Sequence, residues 1–274
     1  MAKINGTYVS LHKACDDYPY YKGNLEFNDT LCLADYFEKA GSLDRSDTYQ
    51  FRGIDFTNKE ASASKIPETE ALFAGRIPDK ALLFTESNSA HHLTYFYVKK
   101  AARHLLNGDK LLVVNFDQHE DTGGNDSIFY CGSWGGNRIC NTVGCDYLVV
   151  GKDMGTAKLY TGEGHGTSYP TDSLTSIYEK YNKIYVTVDM DVLTCGSDVT
   201  RTNWGSGNMT LKQLGEHLAE LPANKLVAAD ITGFPPVNSE KYECGHDLLN
   251  SYINDIRDTS VALCNLMGIP PFID

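Results

Sequence analysis

Short apolar runs recur along the chain between longer stretches whose apolar positions fall at helical spacing. The runs predict strands over residues 7–11, 50–56, 81–84, 110–116, 147–150, 183–188 and 225–229. The intervening stretches predict helices over 30–40, 90–106, 173–181, 210–221 and 246–267. The fourth has a clear start. Thr210 stands as N-cap before Leu211, Leu214 and Leu218, after Gly205-Ser206-Gly207. Such alternation specifies an α/β fold, a mainly parallel sheet with helices on both faces. Residues 15–28, 57–67, 122–145, 151–170 and 194–209 read as loops. In open α/β sheets ligands bind beyond the carboxyl ends of the strands, so the loops after Phe116, Val150 and Val188 should rim a site.

Composition narrows the partners more than the fold. A chain of 274 residues with 42% apolar residues can build one sizeable core, so residues 1–274 are expected to form a single domain. A net charge of -12 opposes binding to nucleic acid or to an anionic membrane, and favours cations and cationic substrates. No apolar stretch approaches the ~20 residues of a membrane span, and the opening residues lack a signal-peptide core. A cytoplasmic protein is expected. The eight cysteines form no CxxC pair and are expected to be reduced. Cys131, Cys140 and Cys145 lack a fourth zinc ligand at usual spacing.

The chemistry concentrates where two apolar runs end. Asp117-Gln118-His119-Glu120-Asp121 follows Phe116, and Asp189-Met190-Asp191 follows Val188. Carboxylates gathered this way repel one another unless a cation sits among them. Residues two apart on an extended strand face the same side, so each dyad can aim at one ion or at one of two. Mostly oxygen donors with one or two imidazoles favour Mn²⁺, with Zn²⁺ or Fe²⁺ compatible.

These motifs resemble the ureohydrolases, which include arginase, agmatinase and formimidoylglutamase. That family carries Gly-Gly-Asp-His, then Asp-x-His-x-Asp, then Asp-x-Asp, and this chain matches the last two. The resemblance implies an arginase-like three-layer α/β/α sandwich, two Mn²⁺ ions and a metal-bridging hydroxide that attacks a guanidino or amidine carbon. It implies bridging roles for Asp117 and Asp189, one metal on Asp121 and the other on His119 and Asp191. Members commonly form trimers or hexamers, so a homo-oligomer is an expectation of the same kind.

Three departures bear on the substrate. The first motif is replaced by Thr85-Glu86-Ser87-Asn88-Ser89-Ala90-His91-His92, and an ungapped alignment puts Asn88 at the family histidine. Spacing to Asp117 suggests instead that His91 or His92 completes the site; neighbours on a helix diverge by about 100°, so one of them serves, with His91 preferred. Cys131-Gly132-Ser133 stands at the family's proton-shuttling His-Gly-Thr. Either Cys131 or His165, in the glycine-dense Gly162-Glu163-Gly164-His165-Gly166-Thr167, could move the proton, beside Asp121. Asp230-Ile231-Thr232-Gly233 resembles the family's Asp-Ile-x-Glu, with Gly233 where a glutamate grips the guanidinium. Either a substitute acid holds the cationic head, with Glu86, Asp126, Glu163 and Glu240 as candidates, or the substrate is not a guanidine. Arginine side chains within a peptide fit these departures better than free arginine. The alternatives are a single-metal amide C–N hydrolase and an inactive metal- or ligand-binding member.

Overall fold

The computed structural model describes residues 7–10, 48–50, 66–74, 82–85, 88–123, 129–153, 155–162, 165–194, 206–233 and 246–268. Its strands are β1 (Thr7–Ser10), β2 (Thr48–Gln50), β3 (Leu82–Thr85), β4 (Leu111–Phe116), β5 (Asp146–Asp153), β6 (Thr156–Tyr160), β7 (Thr167–Pro170), β8 (Lys183–Asp189) and β9 (Leu226–Thr232). They form one nine-stranded sheet in the order β2-β1-β3-β9-β8-β4-β5-β6-β7. The first seven in that order are parallel, and β6 and β7 add an antiparallel edge. The helices are α1 (Ile66–Ala74), α2 (Thr94–Ala102), α3 (Asn137–Val143), α4 (Leu174–Tyr178), α5 (Leu211–Ala219) and α6 (His246–Met267).

Side-chain alternation along the central strands makes the three layers. Leu112, Val114 and Phe116 of β4 join Val186 and Val188 of β8 in one core, with Leu214 and Leu218 of α5 and Ile256 and Leu263 of α6. Leu111 and Val113 point the other way, into a second core with Tyr185, Tyr147 and the α2 residues Tyr95 to Val98. β4 is buried along its whole length, which a run flanked by two layers requires. Each such Leu or Val contributes roughly 1.5–3 kcal/mol on leaving water. The α/β sandwich with its mainly parallel sheet is as expected.

Local signals account for the boundaries. Thr210 Oγ1 accepts from the Gln213 amide at 3.2 Å and Gln213 Oε1 accepts from the Thr210 amide at 2.9 Å, a reciprocal cap worth about 1 kcal/mol. The predicted helix 90–106 is shorter and enters through a 3₁₀ turn, Asn88–Leu93. Two stretches expected to be loops are ordered otherwise: 151–170 holds the β6–β7 ribbon and 122–145 holds α3, closed by left-handed Gly144. The expected helix 30–40 and most of strand 50–56 lie outside the described residues.

Candidate metal centre

Two adjacent strand ends and the turn after a third strand deliver the site. β4 and β8 pair with Phe116 opposite Val188, so the residues that follow, Asp117 and Asp189, emerge side by side. The pleat stops at each first aspartate. Asp117 Oδ1 accepts from the His119 amide at 2.7 Å, and Asp189 Oδ1 accepts from the Asp191 amide at 3.1 Å. Each Asp-x-His or Asp-x-Asp is therefore a local turn around its own carboxylate rather than an extended dyad. The Gln118 amide reaches Asp191 Oδ1 at 3.3 Å and ties the two turns together.

His91 comes from the 3₁₀ turn after β3. Its Nδ1 lies 2.9 Å from Asp121 Oδ2, 3.3 Å from Asp117 Oδ2 and 3.4 Å from Asp189 Oδ2. His119 Nδ1 lies 3.0 Å from Asp191 Oδ2 and 3.4 Å from Asp117 Oδ1. Two groups that could hold a metal ion result, His91-Asp117-Asp121 and Asp117-His119-Asp191. Neither contains His92, whose ring packs edge-on against Phe129 at 5.2 Å. His165 is exposed and is not among the residues that line the cavity. That cavity, about 350 Å³, is lined by His91, His119, Asp121, Asp189 and Asp191 and also by Cys131. Glu86, Asp126, Glu163 and Glu240 lie outside the described residues.

Asp121 adopts φ +53°, a left-handed conformation that costs a non-glycine residue roughly 1 kcal/mol. The surrounding loop holds it there. Its carbonyl accepts from the Gly135 amide at 2.9 Å, and its Oδ2 accepts from the Trp134 indole N–H at 2.7 Å. Trp134 is fully buried, with its ring 4.9 Å from that of His91. Nothing in the motif spacing pointed to Trp134, because a lone tryptophan three residues after Cys131 reads as core. Trp134→Phe keeps an aromatic ring and removes the donor, so a divalent ion held by these groups should bind roughly tenfold more weakly in calorimetric titration. Unchanged affinity would assign the indole to packing alone.

Glu120 also lines the cavity, but its carboxylate is engaged elsewhere. Its carboxylate takes Lys152 Nζ at 2.5 Å, Lys158 Nζ at 3.1 Å and the Tyr160 hydroxyl, anchoring the Asp117 to Asp121 turn to the β5–β6 ribbon. Burial raises the Glu120 pKa, but these partners outweigh it and bring it down to about 2.

The protonation pattern is that of a site with surplus negative charge. Burial lowers the pKa of His91, yet hydrogen bonds to Asp117 and Asp121 and the charge of Asp189 carry it well above the ordinary value. Hydrogen bonds to Asp117 and Asp191 raise His119 to about 11. Asp117 is held well below the carboxylate range, its burial outweighed by His119 and His91. Burial and the charge of Asp117 push Asp121 to about 7 and Asp191 to about 6. Burial and the charges of Asp191 and Asp117 push Asp189 up as well. Two imidazoles do not neutralise four buried carboxylates, and buried His91 Nδ1 and Asp191 Oδ2 stand at ion-pair distance from their neighbours without an aligned hydrogen bond. Oxygen-rich donors, poorly aligned buried contacts and excess charge fit a divalent cation in each group.

No family model matches the chain. It is 30% identical over 173 residues to an uncharacterised protein of Thermotoga maritima, a match spanning 62% of this chain and 64% of that protein. Its fold is arginase-like. Formimidoylglutamase from Bacillus subtilis superposes with TM-score 0.55 at 14% identity, over 98% of this chain and 89% of its own. Arginase from the same organism gives 0.55 at 11%, over 95% and 98%. A hypothetical agmatinase from Burkholderia thailandensis gives 0.53 at 15%, over 96% and 85%. Likenesses at this identity define the architecture, and the chemistry rests on the residues of this chain. Among the described residues, no helix is long and apolar enough to cross a membrane.

Proposed function

We propose that this chain is a binuclear, manganese-dependent hydrolase of ureohydrolase type, cleaving a C–N bond of a guanidino or amidine group. The observation that supports it is the span of one carboxylate: Asp117 Oδ2 faces His91 while Asp117 Oδ1 faces His119. His91 and Asp121 would complete one metal position, His119 and Asp191 the other, with Asp189 shared. Two divalent ions held there would supply a water acidic enough to attack at neutral pH and would polarise the substrate carbon. The chain's own residues do the rest. Trp134 and the left-handed turn hold the Asp121 carboxylate on the cavity wall, where it can take a proton from the attacking water. Cys131 lines the same cavity and would pass a proton to the leaving nitrogen; its turn is pinned by Ser133 Oγ, which accepts from the Tyr130 amide at 2.9 Å.

An arginine side chain in a peptide is the preferred substrate, because nothing at Gly233 repeats the grip used for a free guanidine. Metal analysis after Mn²⁺ loading should give close to two ions per chain, and urea should be released from arginine-containing peptides more readily than from arginine or agmatine. One ion per chain with ammonia release from amides would replace this function with single-metal amide hydrolysis. Metal uptake with no turnover across the panel would make the protein a binding member of the fold.

A further inference from the structure

One layer beneath the ligands, a polar row crosses the apolar centre of the sheet. Asn115 on β4 pairs with Thr187 on β8, and Thr187 pairs with Asp230 on β9. All three are fully buried. Buried polar groups are costly without partners, so their bonds define what the row does. Asn115 Nδ2 donates to Asp117 Oδ2 at 3.0 Å and to the Tyr147 hydroxyl at 2.7 Å, holding a ligand carboxylate from below.

The other two residues act on the histidine. Asp230 accepts from three hydroxyls: Tyr185 on Oδ1 at 2.7 Å, and Thr94 and Thr187 on Oδ2, each at 2.9 Å. A hydroxyl has one hydrogen to give, and Thr187 gives it to Asp230. Thr187 Oγ1 lies 3.0 Å from His91 Nε2, so in that contact the hydroxyl oxygen accepts and Nε2 carries the hydrogen. With a cation in the site the ring must be the neutral imidazole, which has only one N–H. Nδ1 therefore presents its lone pair, and Nδ1 is the atom that faces Asp117, Asp121 and Asp189.

We infer that Asp230, acting through Thr187, is a positioning residue that fixes His91 as the Nε2–H tautomer and so aims Nδ1 at the first metal position. The inference rests on the metal-centre function proposed above. Histidine ligands are commonly held by a carboxylate or carbonyl on the far nitrogen; here a threonine hydroxyl is inserted between the two, which lets a carboxylate on the neighbouring strand reach a ring on a separate turn.

The test compares Thr187→Val, Thr187→Ser and Asp230→Asn with the parent protein. Thr187→Val preserves shape and removes the hydroxyl; Mn²⁺ affinity should fall about 10- to 100-fold. Thr187→Ser should restore it to within roughly threefold, since the same hydroxyl relays the same bond. Asp230→Asn should also weaken binding. In zinc-loaded protein labelled with ¹⁵N-histidine, His91 should show a protonated Nε2 and a metal-bound Nδ1. Loss of melting temperature in the metal-free variants with unchanged metal affinity would reduce the row to packing and overturn the inference, as would a His91 protonated at Nδ1. If the parent protein takes up no metal, the proposed function fails and the relay fails with it; if the parent binds metal and Thr187→Val binds it equally well, only the relay fails.

Discussion

Removing Asp117 or Asp189 should abolish metal binding and hydrolysis together, while moving the stability of the metal-free protein in opposite directions. Asp117 contributes one oxygen to each ligand group, so Asp117→Ala leaves two fragments of two side chains each. Several kcal/mol of transition-state stabilisation would go with the ions, which is at least ~10³-fold in rate. The opposite stability effects follow from the two protonation shifts. Asp117 has a depressed pKa in the fold, so its charged form contributes stability at neutral pH, and that contribution is lost as pH falls below the unfolded carboxylate range. Asp189 has a raised pKa, set by burial and by Asp191 and Asp117, so its ionisation opposes folding once pH passes the unfolded value of about 3.9. At pH 7 and with chelator present, Asp117→Ala should melt lower than the parent and Asp189→Asn higher, by roughly 2–4 °C for each kcal/mol. Added Mn²⁺ should raise the melting temperature of the parent alone. Hydrolysis surviving in either variant would remove both residues from the chemistry.

The same carboxylates show what a sequence can and cannot carry. Asp117 and Asp189 were legible because each ends an apolar run, and an acid there has to be explained. His91 was only half legible. The chain enters α2 through a 3₁₀ turn, whose residues advance by about 120° rather than 100°, and the turn sends His91 to the metal side and His92 into the aromatic core beside Phe129. The polar row did leave a mark: Asn115 and Thr187 each interrupt an apolar strand two residues before a ligand aspartate, but which strands lie side by side is not written locally. β6 and β7 were missed for a different reason. They form a ribbon at the sheet edge, and β7 has no buried residue, so its hydrophobic signal is weak. Its neighbour nonetheless supplies Lys158 and Tyr160 to Glu120, inside the second motif.

Substituting Gly233 should damage the metal centre from behind, and restoring a glutamate there should not restore recognition of a free guanidine. Gly233 ends β9 at φ +92°, a conformation that disfavours any side chain by roughly 1–2 kcal/mol. Space is a harder limit than strain. A Cβ at this position would stand 2.4 Å from Asp189 Oδ1 and 2.9 Å from the Met190 amide nitrogen, so it meets the carboxylate proposed to be shared by the two metal positions and the main chain that follows it. Asp189 would have to move, and with it the oxygen that accepts from the Asp191 amide. Gly233→Ala should therefore weaken Mn²⁺ binding at least about tenfold and lower the melting temperature, whereas Gly215→Ala, on α5 with open space around it, should be neutral or stabilising by about 0.4–1 kcal/mol. Gly233→Glu should behave like Gly233→Ala and release no more urea from arginine or agmatine than the parent. Parent-like metal affinity in Gly233→Ala would mean that Asp189 tolerates the intrusion; a gain of activity on agmatine in Gly233→Glu would mean that this strand end is still a guanidinium subsite. With the predicted outcomes, the close approach of the Gly233 backbone to Asp189 excludes a gripping carboxylate at this position.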